Sequence, residues 1–245
     1  MERVKILNTQ VDNISMDEAV EEIRRLASLK GSAYVVTPNL DHLINLEKDP
    51  AFAEAYENAA LVLADGVSVM HLARRAGTPL KEKVSGSDLF PRVCSMAAKE
   101  GYSLFILGAA PGVAETAAQN LAAKNPGLKI AGTYSPPKGF ENDEAEIEKI
   151  IGIVNSARPD IMAVAIGDTK GEKFLCRYRE RLGVPVSLSI GASVDFEAGT
   201  RKRAPRWVSK LGFEWLYRCL QEPRRIGGRV IRDLKGLGPL MRKYR

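Results

Sequence analysis

Polar residues follow several apolar runs of this 245-residue chain, at positions where parallel strands of an α/β sheet commonly hold a ligand. Thr37-Pro38-Asn39 follows one run and Asp65-Gly66 follows the next. Each has a structural interpretation as well, because Asn and Asp at these places often cap the helix that follows. Thr37, Asn39 and Asp65 are therefore candidate site residues, with helix capping as the alternative for Asn39 and Asp65.

A glycine-containing turn, Gly108-Ala-Ala-Pro-Gly112, lies between an apolar run and a helical pattern. Such a turn suits a phosphate, because the free N–H groups and the dipole of a helix N-terminus favour anions. It matches neither the dinucleotide fingerprint nor the P-loop, so it predicts an anion site without naming the ligand.

Apolar runs alternate with amphipathic helical patterns along residues 1–199. Near-continuous apolar runs of this kind predict buried parallel strands. The predicted strands are Val4–Leu7, Ala33–Thr37, Leu61–Ala64, Ser103–Leu107, Leu128–Gly132, Ile161–Ile166 and Val186–Ile190. Helix starts are predicted at the capping box of Ser15 and Glu18 and at Ser87, and Ile147 to Val154 follow helical spacing. The order predicts an α/β fold, a Rossmann-like, mostly parallel sheet with helices on both faces.

Charge divides the chain into two predicted parts. Residues 200–245 contain 14 lysines and arginines against three acids, a net charge of +11, whereas residues 1–199 carry a net charge of −5. The basic part also repeats apolar residues at helical spacing. We predict a catalytic α/β domain at 1–199 and a basic, amphipathic helical appendage at 200–245 that binds an anionic partner, either nucleic acid or a membrane surface.

Composition excludes several classes. No apolar run approaches the roughly 20 residues needed to span a bilayer, and the N-terminus has no apolar signal region. Three scattered cysteines and two histidines make neither a disulfide framework nor a zinc site. A reducing cytoplasm is the expected compartment.

Six strings occur in one order over nearly the whole chain: TPNLDHL, LADGVSV, VSGSDLFP, LGAAPGVAE, GTRKRAPRW and GFEWLYRCLQEPRR. Together they resemble the WecG/TagA/CpsF family of bacterial glycosyltransferases, glycosyltransferase family 26, over about residues 4–226. The resemblance implies an inverting enzyme that moves a sugar from a UDP-sugar to a polyprenyl-diphosphate-linked acceptor. Such enzymes build teichoic acid linkages, capsules and exopolysaccharides at the cytoplasmic face of the bacterial membrane, as peripheral membrane proteins.

The resemblance also implies roles for single residues. Asp65 matches the family's proposed catalytic base, and Thr37 and Asn39 match the segment near donor and acceptor. A carboxylate at a strand end suits removal of the acceptor proton. The diphosphate of the leaving UDP needs cations or N–H groups. The expected contacts to the donor or its diphosphate are Lys83, Ser85, Gly108, Gly112, Lys170, Glu172, Arg224 and Arg225.

This chain departs from the usual family pattern in two predicted donor loops. Lys83 stands where the family usually has arginine, and Gly171 and Phe174 stand where it usually has glutamine and tryptophan. We expect these differences to alter the choice of donor sugar, so the donor is N-acetylmannosamine or another hexose. No carboxylate cluster of the DxD type is present, so metal-independent transfer without a cofactor is expected.

Two alternatives remain at this stage. A Rossmann-type oxidoreductase requires a glycine fingerprint after the first strand, where this chain has Asn8-Thr9-Gln10-Val11. A nucleic-acid-binding protein would use the basic tail, but its aromatic residues are spaced for a helix face rather than for base stacking. The expected partners are the UDP-sugar, the lipid-linked acceptor and an anionic membrane, without nucleic acid; a homo-oligomer is left open.

Overall fold

The computed structural model describes residues 2–167, 169–205, 208, 216, 217, 219, 228 and 236–244. Eight strands are described: β1 Arg3–Ile6, β2 Thr9–Asp12, β3 Ala33–Val36, β4 Leu61–Val62, β5 Ser103–Gly108, β6 Lys129–Tyr134, β7 Ile161–Ala165 and β8 Val186–Ser189. The α-helices with defined bounds are α1 Met16–Ala27, α2 Leu40–Asn45, α3 Pro50–Glu57, α4 Val67–Arg75, α5 Gly86–Glu100, α6 Val113–Lys124, α7 Glu144–Ala157, α8 Lys170–Leu182 and α9 Ser193–Ala198. A short 3₁₀ turn covers Phe140–Asn142.

Six strands form one parallel sheet in the order β4-β3-β8-β7-β5-β6. Helices α1, α5, α6 and α9 cover one face, and α2, α3, α4, α7 and α8 cover the other. The predicted α/β class, with a parallel sheet between two helical layers, is confirmed. Six of the seven strands predicted from the sequence lie in this sheet. They were recognised because buried parallel strands are apolar on both faces.

The first predicted strand, Val4–Leu7, is not part of that sheet. β1 pairs with β2 in an antiparallel hairpin, and Leu7 turns the chain with a φ of +54°. A leucine rarely adopts a positive φ, so the sequence gives no usual hairpin signal there. Asp12 accepts the N–H of Val62 at 2.8 Å, which attaches the hairpin to the edge strand β4.

The two helix starts predicted from capping have different outcomes. The Ser15–Glu18 capping box is present as predicted at α1. The predicted Ser87 cap is wrong, because Ser85 is the N-cap of α5 and Ser87 lies in its first turn. Residues 236–243 are helical. The rest of the predicted appendage after residue 205 lies almost wholly outside the described residues. Within the described part of the chain, no helix is long and apolar enough to cross a membrane.

Candidate active site

The ends of β3 and β4 bring two of the predicted catalytic segments together. The two strands are paired neighbours, with Val36 opposite Val62. The backbone N–H of Asp65 then donates to the carbonyl of Pro38 at 2.9 Å. This bond joins Asp65 to the Thr37-Pro38-Asn39 turn. The structure therefore places all three candidate catalytic residues together at the carboxyl ends of the parallel strands, which we call the sheet edge.

Capping distinguishes Asn39 from Asp65. Asn39 is the N-cap of α2, and its Oδ1 accepts the backbone N–H of His42 at 3.2 Å, so the capping interpretation is confirmed for Asn39. At α4 the N-cap position is occupied by Gly66, with a φ of +103°, so Asp65 lies one residue before the cap. Asp65 is partly exposed.

Thr37 lies deeper in the edge, with 7% of its surface exposed. Its hydroxyl donates to the carbonyl oxygen of Ser189 on the neighbouring β8, at 3.5 Å. Gly86 at the start of α5 lies beside it: a Cβ there would be 3.5 Å from Thr37 Oγ1 and 3.4 Å from Ser193 Oγ. The close approach of α5, β3 and α9 fixes the surroundings of this hydroxyl.

The Lys83–Ser85 segment reaches the same edge. The N–H of Val84 donates to the carbonyl of Ala64 at 2.9 Å, directly before Asp65. Ser85 donates its hydroxyl to Asp88 at 2.6 Å, and the Lys83 ammonium lies 3.8 Å from the same carboxylate. Both predicted diphosphate contacts, Lys83 and Ser85, therefore lie beside the candidate base.

Asp88 and Arg203 complete this cluster, and the sequence did not indicate them as site residues. Arg203 donates to Asp88 at 2.5 Å and links the start of the predicted appendage to α5. Burial alone raises the pKa of Asp88, but the hydrogen bond from Ser85, the Arg203 guanidinium and nearby Lys83 outweigh burial, so the net pKa lies below its usual value. The carboxylate stays ionised and holds both cations near the edge.

The glycine turn after β5 forms a second part of the edge. Gly108 adopts a φ of +104°, and a Cβ there would lie 2.6 Å from the carbonyl oxygen of Ala165 on β7, so glycine is required. Gly112 is the exposed N-cap of α6, without a side-chain cap bond. β5 is four strand spacings from β4, about 19 Å at roughly 4.8 Å each. The turn lies well away from Asp65.

The two predicted donor contacts that follow β7, Lys170 and Glu172, point in different directions. Lys170, the first residue of α8, pairs with Glu141 at 2.5 Å. Glu172 lies in the same first turn but faces inward, with 5% of its surface exposed, and it accepts the Ser189 hydroxyl at 3.0 Å. Asp168, Arg224 and Arg225 lie outside the described residues.

A hydrogen-bonded pair beneath this edge, His42 and Tyr56, was not indicated by the sequence. The Tyr56 hydroxyl lies 2.8 Å from Nδ1 of His42, and Phe52 packs edge-on against both rings. Burial raises the pKa of Tyr56 well above its usual value, and the negative charges of Glu172 and Asp65 raise it further. The phenol stays neutral and anchors the first turn of α2, which carries Asn39. The amphipathic pattern of α3 predicts that Tyr56 is buried, but it does not identify His42 as its hydrogen-bond partner.

Among the described residues, no group of three or more His, Cys, Asp and Glu side chains is placed to hold a metal ion.

The chain was compared with known proteins. The model of the glycosyl transferase WecG/TagA/CpsF family matches residues 4–245, which include the basic tail as well as the sheet domain. The chain belongs to this family. Its resemblance to the family is thereby confirmed, and with it the assignment to the glycosyl transferases.

Relatives with an established name agree with this assignment. A protein of Bacillus subtilis (strain 168) is 31% identical over 196 residues, which cover 80% of this chain and 74% of the relative. A protein of Staphylococcus aureus (strain MW2) is 28% identical over 227 residues, which cover 92% of this chain and 87% of the relative. Both are named N-acetylglucosaminyldiphosphoundecaprenol N-acetyl-β-D-mannosaminyltransferase.

Proposed function

We propose that this family member transfers a hexose, N-acetylmannosamine or another, from a UDP-sugar to a polyprenyl-diphosphate-linked saccharide in the synthesis of a bacterial cell-surface polysaccharide. The support is the family membership together with the gathering of Asp65, Thr37 and Asn39 at one point of the sheet edge. The names of the relatives support an N-acetylglucosaminyl-diphosphate-lipid as the acceptor class.

The proposed reaction is a direct displacement with inversion. The acceptor hydroxyl oxygen forms a bond to the anomeric carbon as the bond from that carbon to the UDP oxygen breaks. The hydroxyl proton passes to the carboxylate of Asp65, which acts as general base. Positive charge develops on the sugar in an oxocarbenium-like transition state. Transfer from an α-linked donor by this route gives the β-linked product that the names of the relatives describe.

The leaving UDP gains negative charge, and the proposed contacts supply positive charge or N–H groups for it. We assign Lys83 and Ser85 to the part of UDP nearest the breaking bond; the bond from Val84 N–H to the Ala64 carbonyl, directly before Asp65, supports this. The Gly108–Gly112 turn and Lys170 lie further along the edge, which suits the more distant part of a nucleotide. Arg224 and Arg225 of the tail are further proposed contacts. The charge assistance comes from these groups, so the proposed transfer needs no metal or cofactor.

The donor sugar itself is left to experiment because of Lys83 and Gly171. Lysine offers a point charge where an arginine offers a bidentate donor, and glycine offers no side chain. The proposed donor is therefore the UDP derivative of N-acetylmannosamine or of another hexose, within the same class of reaction.

Membrane attachment through the basic tail is part of the proposal. A polyprenyl acceptor lies in the bilayer, and each Lys or Arg near an anionic surface contributes about 1 kcal/mol of attraction. The tail has a net charge of +11. Part of it packs on the sheet domain: Leu240 is buried, and Lys243 and Tyr244 both bond to Glu47 at 2.5 and 2.6 Å. We place the membrane contact on the inner face of the cell membrane, where the cytoplasmic donor is available. A homo-oligomer remains a further proposal.

The deciding experiment measures transfer from a panel of UDP-sugars to a short-chain diphosphate-linked N-acetylglucosamine acceptor. Wild-type protein should form a disaccharide with one donor, and NMR coupling at the new anomeric carbon should show inversion. Asp65→Asn should bind UDP normally by calorimetry yet turn over roughly 10²-fold or more slowly, since a positioned base contributes at least that much.

Asp17→Asn is the matched control, because it removes a carboxylate from α1 that is exposed and pairs only at the surface with Arg92. It should leave turnover unchanged. Near-normal turnover of Asp65→Asn would show that Asp65 is not the general base. Inactivity of the wild-type protein with every donor would contradict the proposed reaction. Repeating the assay with an undecaprenyl acceptor in anionic vesicles, at low and high salt, tests the membrane contact.

A further inference from the structure

Strand β8 differs from its neighbours on the face that α3 and α8 cover. β3, β5 and β7 present large side chains to this layer, among them Val36, Leu107 and Val164. β8 presents Ser187 and Ser189 instead, each with only 3% of its surface exposed. A buried hydroxyl needs a hydrogen-bond partner to offset the loss of water, so serines at the centre of a sheet call for a specific partner.

The partner of Ser189 is a buried carboxylate. Ser189 Oγ donates to Glu172 Oε1 at 3.0 Å, and Glu172 has 5% of its surface exposed. Glu172 lies in the first turn of α8, where the helix dipole favours a negative charge. It is therefore held by an oriented hydroxyl and by the helix end, inside the protein.

Position 171 shows how closely α8 lies on the strand ends. A Cβ on Gly171 would be 2.9 Å from the carbonyl oxygen of Ile166 and 3.2 Å from Ser189 Oγ. No larger residue fits there without moving the helix or the serine. Gly171 thus allows α8 to pack closely against Ser189. This close packing directs Glu172 onto the Ser189 hydroxyl.

The same serine reaches the candidate active site through its backbone. The Ser189 carbonyl oxygen accepts the Thr37 hydroxyl at 3.5 Å. β8 pairs with β3 in parallel register, Val35 opposite Leu188, so Ser189 at the end of β8 is close to Thr37, which follows β3. Glu172, Ser189 and Thr37 form one chain of contacts from the interior of α8 to the sheet edge.

We propose that Glu172 and Ser189 are positioning residues for Thr37, acting through the strand end of β8 and not by contact with the donor. This inference rests on the proposed function, since Thr37 is taken to act in the transfer. The Glu172–Ser189 bond fixes the end of β8, and the fixed carbonyl of Ser189 orients the Thr37 hydroxyl. Because small displacements of a reacting group are costly to rate, loosening this chain should lower turnover more than donor binding.

The test uses Ser189→Ala, Glu172→Gln and the matched control Ser187→Ala in the full-length chain. Ser187 lies on the same strand face with the same burial, two residues from Ser189. Readouts are kcat and the KM for the UDP-sugar that wild-type protein uses, with thermal unfolding to check folding. Ser189→Ala should lower kcat about tenfold with the donor KM within about twofold of wild type, as for misplacement of a catalytic group. Ser187→Ala should leave kcat unchanged.

Glu172→Gln separates positioning from direct contact. The amide keeps an oxygen that accepts the Ser189 hydroxyl, so a positioning residue retains at least half of the wild-type kcat. A Gln variant with a strongly raised donor KM places Glu172 on the substrate and overturns the inference, even if Ser189→Ala does not fold. Normal kcat in a folded Ser189→Ala protein overturns it as well. A wild-type protein without any transferase activity defeats the proposed function first and the inference with it.

Discussion

The two faces of the parallel sheet bury different chemistry. Among the described strands of the parallel sheet, the buried side chains on the face under α1, α5, α6 and α9 are apolar, such as Val35, Ile106 and Leu188. The face under α3 and α8 carries buried serines on β8, with Tyr56 and Glu172 in the layer above it. Polar burial costs free energy unless every group finds its partner, so the second face is the more demanding to build.

The position of the polar groups explains the difference. Ser189 and Glu172 lie directly beneath the edge that carries Thr37, and Tyr56 is close enough to Asp65 for that charge to raise its pKa. Hydrogen bonds fix direction as well as distance, which apolar contacts do not. Both faces therefore bury large apolar clusters, and the face under α3 and α8 also carries the polar groups beneath the candidate site.

Leu188→Ala tests the apolar face and should have the largest effect on stability. Leu188 is fully buried, and its neighbour Ser189 faces the other layer. Removing a buried leucine side chain costs about 2–5 kcal/mol of unfolding free energy, which urea unfolding measures. The folded protein should keep its kcat, because the Ser189–Glu172 bond lies on the opposite face of β8. A loss of kcat comparable to that of Ser189→Ala would show that the apolar face also positions the candidate site.

Gly171→Ala tests the polar face through its packing. The new methyl group would meet the Ile166 carbonyl at 2.9 Å, and forced overpacking typically costs about 1–3 kcal/mol. We expect a lower urea midpoint together with a lower kcat, because α8 must move away from Ser189. Gly152→Ala in α7 is the control, since nothing lies within 4 Å of a Cβ there. It should stabilise the helix by up to about 1 kcal/mol. Equal effects of the two alanines would contradict the close packing at 171.

Periodicity and strand-end rules predicted much of this architecture from the sequence. The parallel strands were found because they are apolar on both faces, and Asp65 and Asn39 because they follow such runs. The hairpin was missed because Leu7 makes its turn at a positive φ. The Ser85 N-cap was missed because Ser85 and Ser87 are both serines, two positions apart, and the local pattern does not distinguish them.

Long-range polar contacts were beyond sequence reasoning. Ser189 and Glu172 are 17 positions apart, and Thr37 and Ser189 are 152 apart. Glu172 was predicted as a donor or diphosphate contact because its loop matches the family pattern, and that role stays a prediction. The inward direction of the Glu172 side chain depends on how α8 packs against β8, and local sequence pattern does not determine this packing.

The smallest expected effect belongs to Asp88→Asn, which tests polar groups on the apolar side of the sheet. Here the polar contacts lie at the rim, between α5, Lys83 and Arg203, and they are partly exposed. The folded-state pKa of Asp88 is below its usual value of 3.8. Its ionised form therefore stabilises the fold at neutral pH, and this contribution disappears as the pH falls through the lowered pKa. Asp88→Asn should cost about 1 kcal/mol at pH 7, because a partly exposed charge-assisted bond is worth little, and less at pH 3. Urea unfolding at both pH values measures the difference. A loss that is as large at pH 3 as at pH 7 would mean that the side chain acts by its shape rather than its charge.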